Sequence, residues 1–270
     1  MDDVDDEIVA SVAGTAMRLV DLSHRLGPTP SEPTPPTIRR TSHEDGAELW
    51  EWMYGIPREA LPPTGGFAAE EVTASTHAGT HVDAPWHYGP TSPSGPASTI
   101  DDLPLSMFVG PLVIVDLTDL PDGSVVGVDD MQRRLATVVD GISPGDVVAL
   151  RTGAEASWGD EEFWRRGSGL AAETVQWLVG MGVQLIGTDA WSLDRPYPLV
   201  GEEWLERQEP DALWPAHFAG MSTPYCHVEK LRNLGELPSA GATIIAAPIA
   251  VAEGSAGWVR AVALVPFAVD

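Results

Sequence analysis

Three of the chain's seven histidines fall within eleven residues, in His77-Ala78-Gly79-Thr80-His81-Val82-Asp83-Ala84-Pro85-Trp86-His87. Imidazole and carboxylate side chains are the usual donors to zinc and similar divalent ions, so this grouping points to a metal site. A helix is a poor host for the segment. Gly79, Thr80, Val82 and Pro85 all disfavour it, and proline alone costs about 3 kcal/mol inside a helix. The expectation is an extended segment in which side chains alternate. His77, His81, Asp83 and His87 then share one face, while Val82 and Ala84 turn into packing. Gly79 leaves room between the first two imidazoles for a shared ligand.

A complete site needs further donors. The second candidate segment runs from His217 to Glu229 and contains the only cysteine, Cys226. If the end of that segment is extended, His227 and Glu229 lie on one face and either could point at a metal. Cys226 and His227 then face opposite ways, which argues against a cysteine–histidine dyad. An isolated cysteine usually acts as a small buried hydrophobe. No Gly-x-Ser-x-Gly elbow and no Gly-rich phosphate loop occurs, so serine-hydrolase and nucleotide chemistry have no support.

The elements that must position these residues alternate in the middle of the chain. Met17–Leu22, Leu112–Leu117, Val147–Arg151 and Val183–Thr188 read as strands. Asp129 is the expected cap of a helix carrying Met131, Leu135 and Val138 on one stripe. Ala171–Met181 is a second helix, with Val175, Leu178 and Val179 inward and Gly182 as its stop. Ala242–Val251 and Trp258–Pro266 form a terminal strand pair. Five prolines in the nine residues Pro28–Pro36 prescribe an extended arm. The stretch 45–69, with Trp50, Trp52, Tyr54 and Phe67 among Gly and Pro, reads as an irregular aromatic loop. Residues 1–16 are acidic and then small and apolar, which suits a flexible terminus, and 17–270 reads as one mixed α/β domain.

Composition bounds the partners. Fifteen basic against forty acidic residues give a net charge of −25. Such a chain is repelled by phosphate backbones and anionic membranes, so nucleic-acid and membrane-surface roles are not expected. The longest mostly apolar run, Ala242–Ala252, is too short to span a bilayer. The start, Met1-Asp2-Asp3, is the opposite of a cationic signal peptide, and a lone cysteine calls for no oxidising compartment. A cytoplasmic protein acting on a small molecule is the expectation. Lys230 is the only lysine among the basic residues. With abundant Ala, Gly and Pro, that bias reflects GC-rich codon usage more than chemistry.

The segment His77–His87 has the form His-x-Gly-Thr-His-x-Asp-x-Pro-x-His. It resembles the signature of the metal-dependent cyclase family, which includes bacterial kynurenine formamidase, isatin hydrolase, trans-dienelactone hydrolase and cyclases of aromatic polyketide pathways. Leu19–Ser23, Arg151-Thr152-Gly153 and Gly187–Asp194 resemble further stretches of the family, as does the spacing from His217 to Glu229 followed by Lys230–Leu234. The resemblance covers most of the chain. It implies that His77, His81 and Asp83 bind a first metal ion, zinc or manganese, with His217 and Glu229 completing the site. Asp83 and Glu229 would bridge to a second ion where the family is binuclear, and His87 would be the general acid/base. It also implies a compact α/β domain of swivelling β/β/α type, with a curved mixed sheet and flanking helices. The assembly would be a homodimer or homotetramer, its N-terminal arm reaching a neighbouring subunit. Ser23, Trp86, Tyr88 and His227 are candidates to line the substrate pocket. Arg25–Arg40 lacks the tryptophan of the formamidase pattern and Glu44–Glu70 is longer. The runs Met221–His227 and Trp86–Pro90 are closer to the lactone-hydrolase and cyclase branch. The implied reaction is hydrolysis of a small cyclic amide, lactone or formamide. The alternatives are closure of a polyketide-type ring and a metal-binding homologue without catalysis.

Overall fold

The computed structural model describes residues 9–12, 14–63, 65–208 and 213–267. The acidic start at 1–8 lies outside the described residues. Ten strands form one mixed sheet. In spatial order they are Val9–Val12, Thr15–Asp21, Val262–Pro266, Ala242–Ile245, Val109–Asp116, Val147–Arg151, Leu185–Thr188, Cys226–Glu229, His81–Asp83 and Ala256–Trp258. The four from Val109–Asp116 to Cys226–Glu229 run parallel. The pairings on either side of them are antiparallel. Three short two-stranded ladders lie outside this sheet.

Six α-helices are described: α1 (His43–Tyr54), α2 (Pro85–Tyr88), α3 (Val128–Leu135), α4 (Ala172–Gly180), α5 (Tyr197–Arg207) and α6 (Pro215–Ser222). Side chains alternate across the parallel strands, as an extended backbone requires. Val113, Val115, Val148, Leu150 and Ile186 pack with Met131 of α3, Leu178 of α4 and Ala219 of α6. Leu112, Ile114, Val147, Ala149 and Leu185 face the other way and meet Val20, Leu22, Ala261 and Ala263. Those last residues belong to or adjoin the sheet's own outer strands. The Leu22 N–H donates to Ala261 O, Arg232 N–H donates to Leu22 O, and Ser23 bridges Leu231. The second strand of the sheet therefore reaches the segment leaving the eighth, which requires the sheet to bend round. Among the described residues no helix is long and apolar enough to cross a membrane.

Several local expectations are corrected. The aromatic stretch at 45–69 is not an irregular loop throughout, because α1 occupies its first part. Ser42 Oγ accepts from Asp45 N–H at 3.1 Å while the Asp45 carboxylate accepts from Ser42 N–H at 2.8 Å, a reciprocal cap. Such a cap contributes about 1 kcal/mol. Gly55, at φ +64°, ends the helix in the left-handed conformation glycine tolerates. Trp52 and Tyr54 are exposed. Helix α3 begins after Gly127, which places Asp129 inside the first turn and Val138 beyond the helix. The stretch 28–36 is irregular, as its prolines dictate, but it turns back onto the body and does not extend away: Ser31 and Glu32 are buried. Val9–Val12 pairs with Thr15–Asp21 and so belongs to the sheet. The C-terminal strands Ala242–Ile245 and Val262–Pro266 do pair, and Ala256–Trp258 pairs instead with His81–Asp83.

Candidate active site

The candidate ligands sit where the parallel part of the sheet gives way to its last two antiparallel strands. Cys226–Glu229 is fully extended, so His227 and Glu229 share one face while Cys226 and Val228 enter the apolar core. Its partner strand His81–Asp83 is antiparallel, with His227 opposite Asp83 and Glu229 opposite His81. That register places two imidazoles and two carboxylates side by side on one face.

The extended reading of His77–His87 holds only for positions 81–83. Gly79 adopts φ +63°, so the chain turns between His77 and His81, and glycine is needed there for its backbone rather than for a gap between side chains. His87 lies on the one-turn helix α2, which Pro85 starts in the position proline favours. Turn, strand and helix still bring all four side chains to one place. His77 Nδ1 is 2.8 Å from Asp83 Oδ1, and His81 Nε2 is 3.2 Å from the same oxygen. His87 Nε2 and His217 Nε2 lie 3.8 and 3.9 Å from Asp83 Oδ2. His227 Nε2 is 2.8 Å from Asp83 Oδ2 and 3.2 Å from Glu229 Oε1. His217 Nε2 is 3.9 Å from Glu229 Oε1.

Hydrogen bonds behind the ring fix which nitrogen faces inward. His81 Nδ1 donates to the Gly79 carbonyl at 2.9 Å, so in the neutral ring the proton sits on Nδ1 and the Nε2 lone pair faces the cluster. His217 Nδ1 lies 2.5 Å from Asp194 Oδ2, which sets the same tautomer. Asp194 also accepts from the Ala216 and His217 N–H groups at the start of α6, where a helix favours negative charge. Tyr88 and Tyr225 hydroxyls each lie 3.2 Å from His227 Nδ1, and Tyr225 O–H donates to Ala216 O. The arrangement in which a carboxylate or carbonyl holds the outer nitrogen of a ligand histidine is a common feature of metal sites.

The cluster's two carboxylates need positive charge beside them. Burial works against ionisation of Asp83, yet His81, His227 and His77 outweigh it and hold the carboxyl well below its usual range. Burial likewise opposes charge on Glu229, and His227 overcomes it and lowers the pKa. Burial opposes protonation of His227, but Asp83 and Glu229 raise its pKa to about 10. His77 is raised too, the Asp83 carboxylate outweighing its burial. Two buried carboxylates thus stay ionised by drawing positive charge onto the imidazoles around them. His81 Nε2 and Asp83 Oδ1 are buried and, despite their separation of 3.2 Å, lack hydrogen-bonding geometry. Unpaired buried donors and acceptors are costly, and a divalent ion answers both. Two donor groups are close enough to hold an ion: Asp83, His217, His227 and Glu229, and His77, Asp83 and His87, with Asp83 common to both. The nitrogen and oxygen donors present fit a divalent ion of zinc or manganese type.

His87 and His77 are the cluster's solvent-facing imidazoles, with side chains 22% and 26% exposed against 1% for His81 and His217. Burial lowers the His87 pKa to about 4, against the opposing pull of Asp83, so the ring is neutral near pH 7. Trp214 stacks on His217 with centroids 5.0 Å apart and stands 5.9 Å from His87. Tyr197 and Phe218 extend that aromatic wall. Of the remaining pocket candidates, Tyr88 is buried behind His227 and Trp86 is 42% exposed. The Ser23 hydroxyl is taken up by backbone, donating to Val259 O and accepting from Ala261 N–H. The sequence reading gave Asp194 and Tyr225 no role although both lie in stretches it singled out, and it missed Trp214, because partners set by tertiary contact carry no spacing signal. Burial pushes the Cys226 thiol up, consistent with a packing role.

The family model described as "Putative cyclase" matches residues 20–195. The chain belongs to this metal-dependent cyclase family. A kynurenine formamidase of Salinibacter ruber is 34% identical over 253 residues, 91% of this chain and 97% of that enzyme. A kynurenine formamidase of Bordetella avium is 32% identical over 154 residues, 54% of this chain and 60% of that enzyme. An isatin hydrolase of Roseibium aggregatum is 28% identical over 74% of this chain and 76% of its own length. The crystal structure of an isatin hydrolase bound to the product analogue thioisatinate has the same fold. It aligns at a TM-score of 0.73 and 23% identity, covering 93% of each chain.

Proposed function

We propose that this chain is a metal-dependent hydrolase that opens the carbonyl–nitrogen or carbonyl–oxygen bond of a small amide, formamide or lactone. Its relatives named for their activity are hydrolases, and the chain is an enzyme of that class. The observation that carries the reading is the cluster itself. Asp83, His217, His227 and Glu229 form one donor group and His77, Asp83 and His87 another, and His81 lies 3.2 Å from Asp83 and 3.6 Å from Glu229. Those residues would hold one or two ions of zinc or manganese. A bound ion would polarise a carbonyl oxygen and acidify water. The protein's own residues supply the rest. Neutral His87 accepts a proton from the attacking water and returns it to the leaving nitrogen or oxygen, a role worth about 100-fold or more. Asp194 keeps His217 in the required tautomer. The wall of Trp214, Tyr197 and Phe218 supports a substrate with a planar ring beside the bond that breaks. A cytoplasmic homo-oligomer remains part of the proposal.

The test is metal analysis followed by assay of the manganese- or zinc-loaded protein against aryl formamides, cyclic amides and lactones in ¹⁸O-labelled water. Label in the carboxylate product is the expected result. Turnover without incorporation of label would redirect the assignment to ring closure. Absence of turnover on every member of the panel would overturn the hydrolase reading.

A further inference from the structure

The chain's only lysine is buried beside the site. Lys230 directly follows Glu229, adopts φ +59° and is 1% exposed. Its Nζ donates to Glu32 Oε1 and Oε2 at 2.8 and 3.0 Å and to the His77 carbonyl at 2.9 Å. An ammonium has three N–H bonds, so its donors are fully spent. It also stands 4.9 Å over the Trp191 ring. Glu32, also buried, accepts from Gly79 N–H at 2.7 Å through the oxygen nearer the lysine. Thr80 Oγ1 donates to the Lys230 carbonyl at 2.6 Å and accepts from His24 N–H. The turn 77–80 is thus held at His77, Gly79 and Thr80, each by Glu32 or Lys230.

That turn carries the two histidines His77 and His81. The Gly79 carbonyl also orients the His81 ring. We propose that Glu32 and Lys230 are positioning residues: a buried, self-neutralised ion pair that sets the geometry of the His77–His81 turn before a metal arrives. The inference rests on the reading of this cluster as a metal site. A lone ammonium so near a cation site would oppose metal binding, and the Glu32 carboxylate removes that objection by cancelling its charge. The pair also explains the folding back of the Pro-rich stretch 28–36, which delivers Glu32 from one side while the strand Cys226–Glu229 delivers Lys230 from the other.

Removing one partner leaves a buried charge unpaired and can simply unfold the protein. The decisive variant is therefore Glu32→Gln with Lys230→Met. Net charge near the site is unchanged, the side-chain amide oxygen introduced at position 32 can still accept from Gly79 N–H, and only the ammonium's hold on His77 O and residue 32 is lost. Two measurements are made on the full chain. In metal-free protein, hydrogen exchange over 77–80 should rise by about tenfold or more with little change in Tm. In a Mn²⁺ titration, affinity should fall about tenfold or more. Wild-type affinity in the double variant overturns the proposal whatever the exchange shows, and so does wild-type exchange over 77–80. Failure of the wild-type chain to bind Mn²⁺ or Zn²⁺ overturns the reading of the site instead, and the metal-free exchange still decides whether the pair holds the turn.

Discussion

Two buried groups of charges meet at consecutive residues, Glu229 and Lys230. They differ in how their charge is balanced. The Glu32–Lys230 pair has one charge of each sign, and every N–H of the ammonium finds an oxygen. The Asp83–Glu229 cluster has two carboxylates balanced only by protons on the imidazoles around them, and it keeps buried atoms without hydrogen bonds. The first is complete as folded and serves to hold backbone. The second is balanced by exchangeable protons and leaves His81 Nε2 and Asp83 Oδ1 unpartnered, which a bound cation would answer. Burial alone does not separate structural from functional polar groups; the balance of charge and of donors does.

That contrast can be broken most sharply at the residue both donor groups share. Asp83→Asn removes the charge that every imidazole in the cluster faces and should abolish metal uptake, read as metal per chain after dialysis. Retention of one ion per chain would show that the remaining donors suffice. His87→Ala should leave metal content near wild type and cut turnover by about 100-fold or more. A drop in metal content would instead place His87 among the ligands. Asp194→Asn leaves His217 without its carboxylate, and metal affinity or activity should fall about 10- to 100-fold. An unchanged titration curve would assign Asp194 to capping α6 alone. Chelation should lower stability by about 2.7 kcal/mol relative to protein held at 100 times its metal Kd. A Tm indifferent to chelator would mean that the folded state takes up no ion. At the far end of the scale, Arg133→Ala breaks an exposed pair with Asp130 and should change stability by about 0.5 kcal/mol or less.

The residue types at 77–87 disclosed the chemistry, but not their shape. Alternation suggested one continuous strand; the structure uses a turn, a three-residue strand and one turn of helix to gather the same side chains. The grouping was legible because it is local. The shared face of His227 and Glu229 was legible for the same reason, since period-two alternation is written in neighbouring residues. What escaped was decided at long range or by capping. Ser42 and Asp45 start a helix in a stretch whose aromatics and glycines suggested a loop. Glu32 becomes buried because a lysine 198 residues away neutralises it. Asp194 becomes a partner of His217 because the segment after the strand Leu185–Thr188 meets the start of α6. None of these carries a periodic signal.

The two strands that bear the site pair directly, with Asp83 opposite His227 across a separation of 144 residues. This has a consequence for biogenesis. Contacts of such sequence separation form late, because a long loop must close first. During synthesis, the segment 77–87 leaves the ribosome long before its partner exists. Its histidines wait without Glu229, and the turn 77–80 waits without Lys230. The partner strand and that lysine arrive together, as adjacent residues. A single docking event therefore delivers the missing acid of the cluster and fastens the turn opposite it.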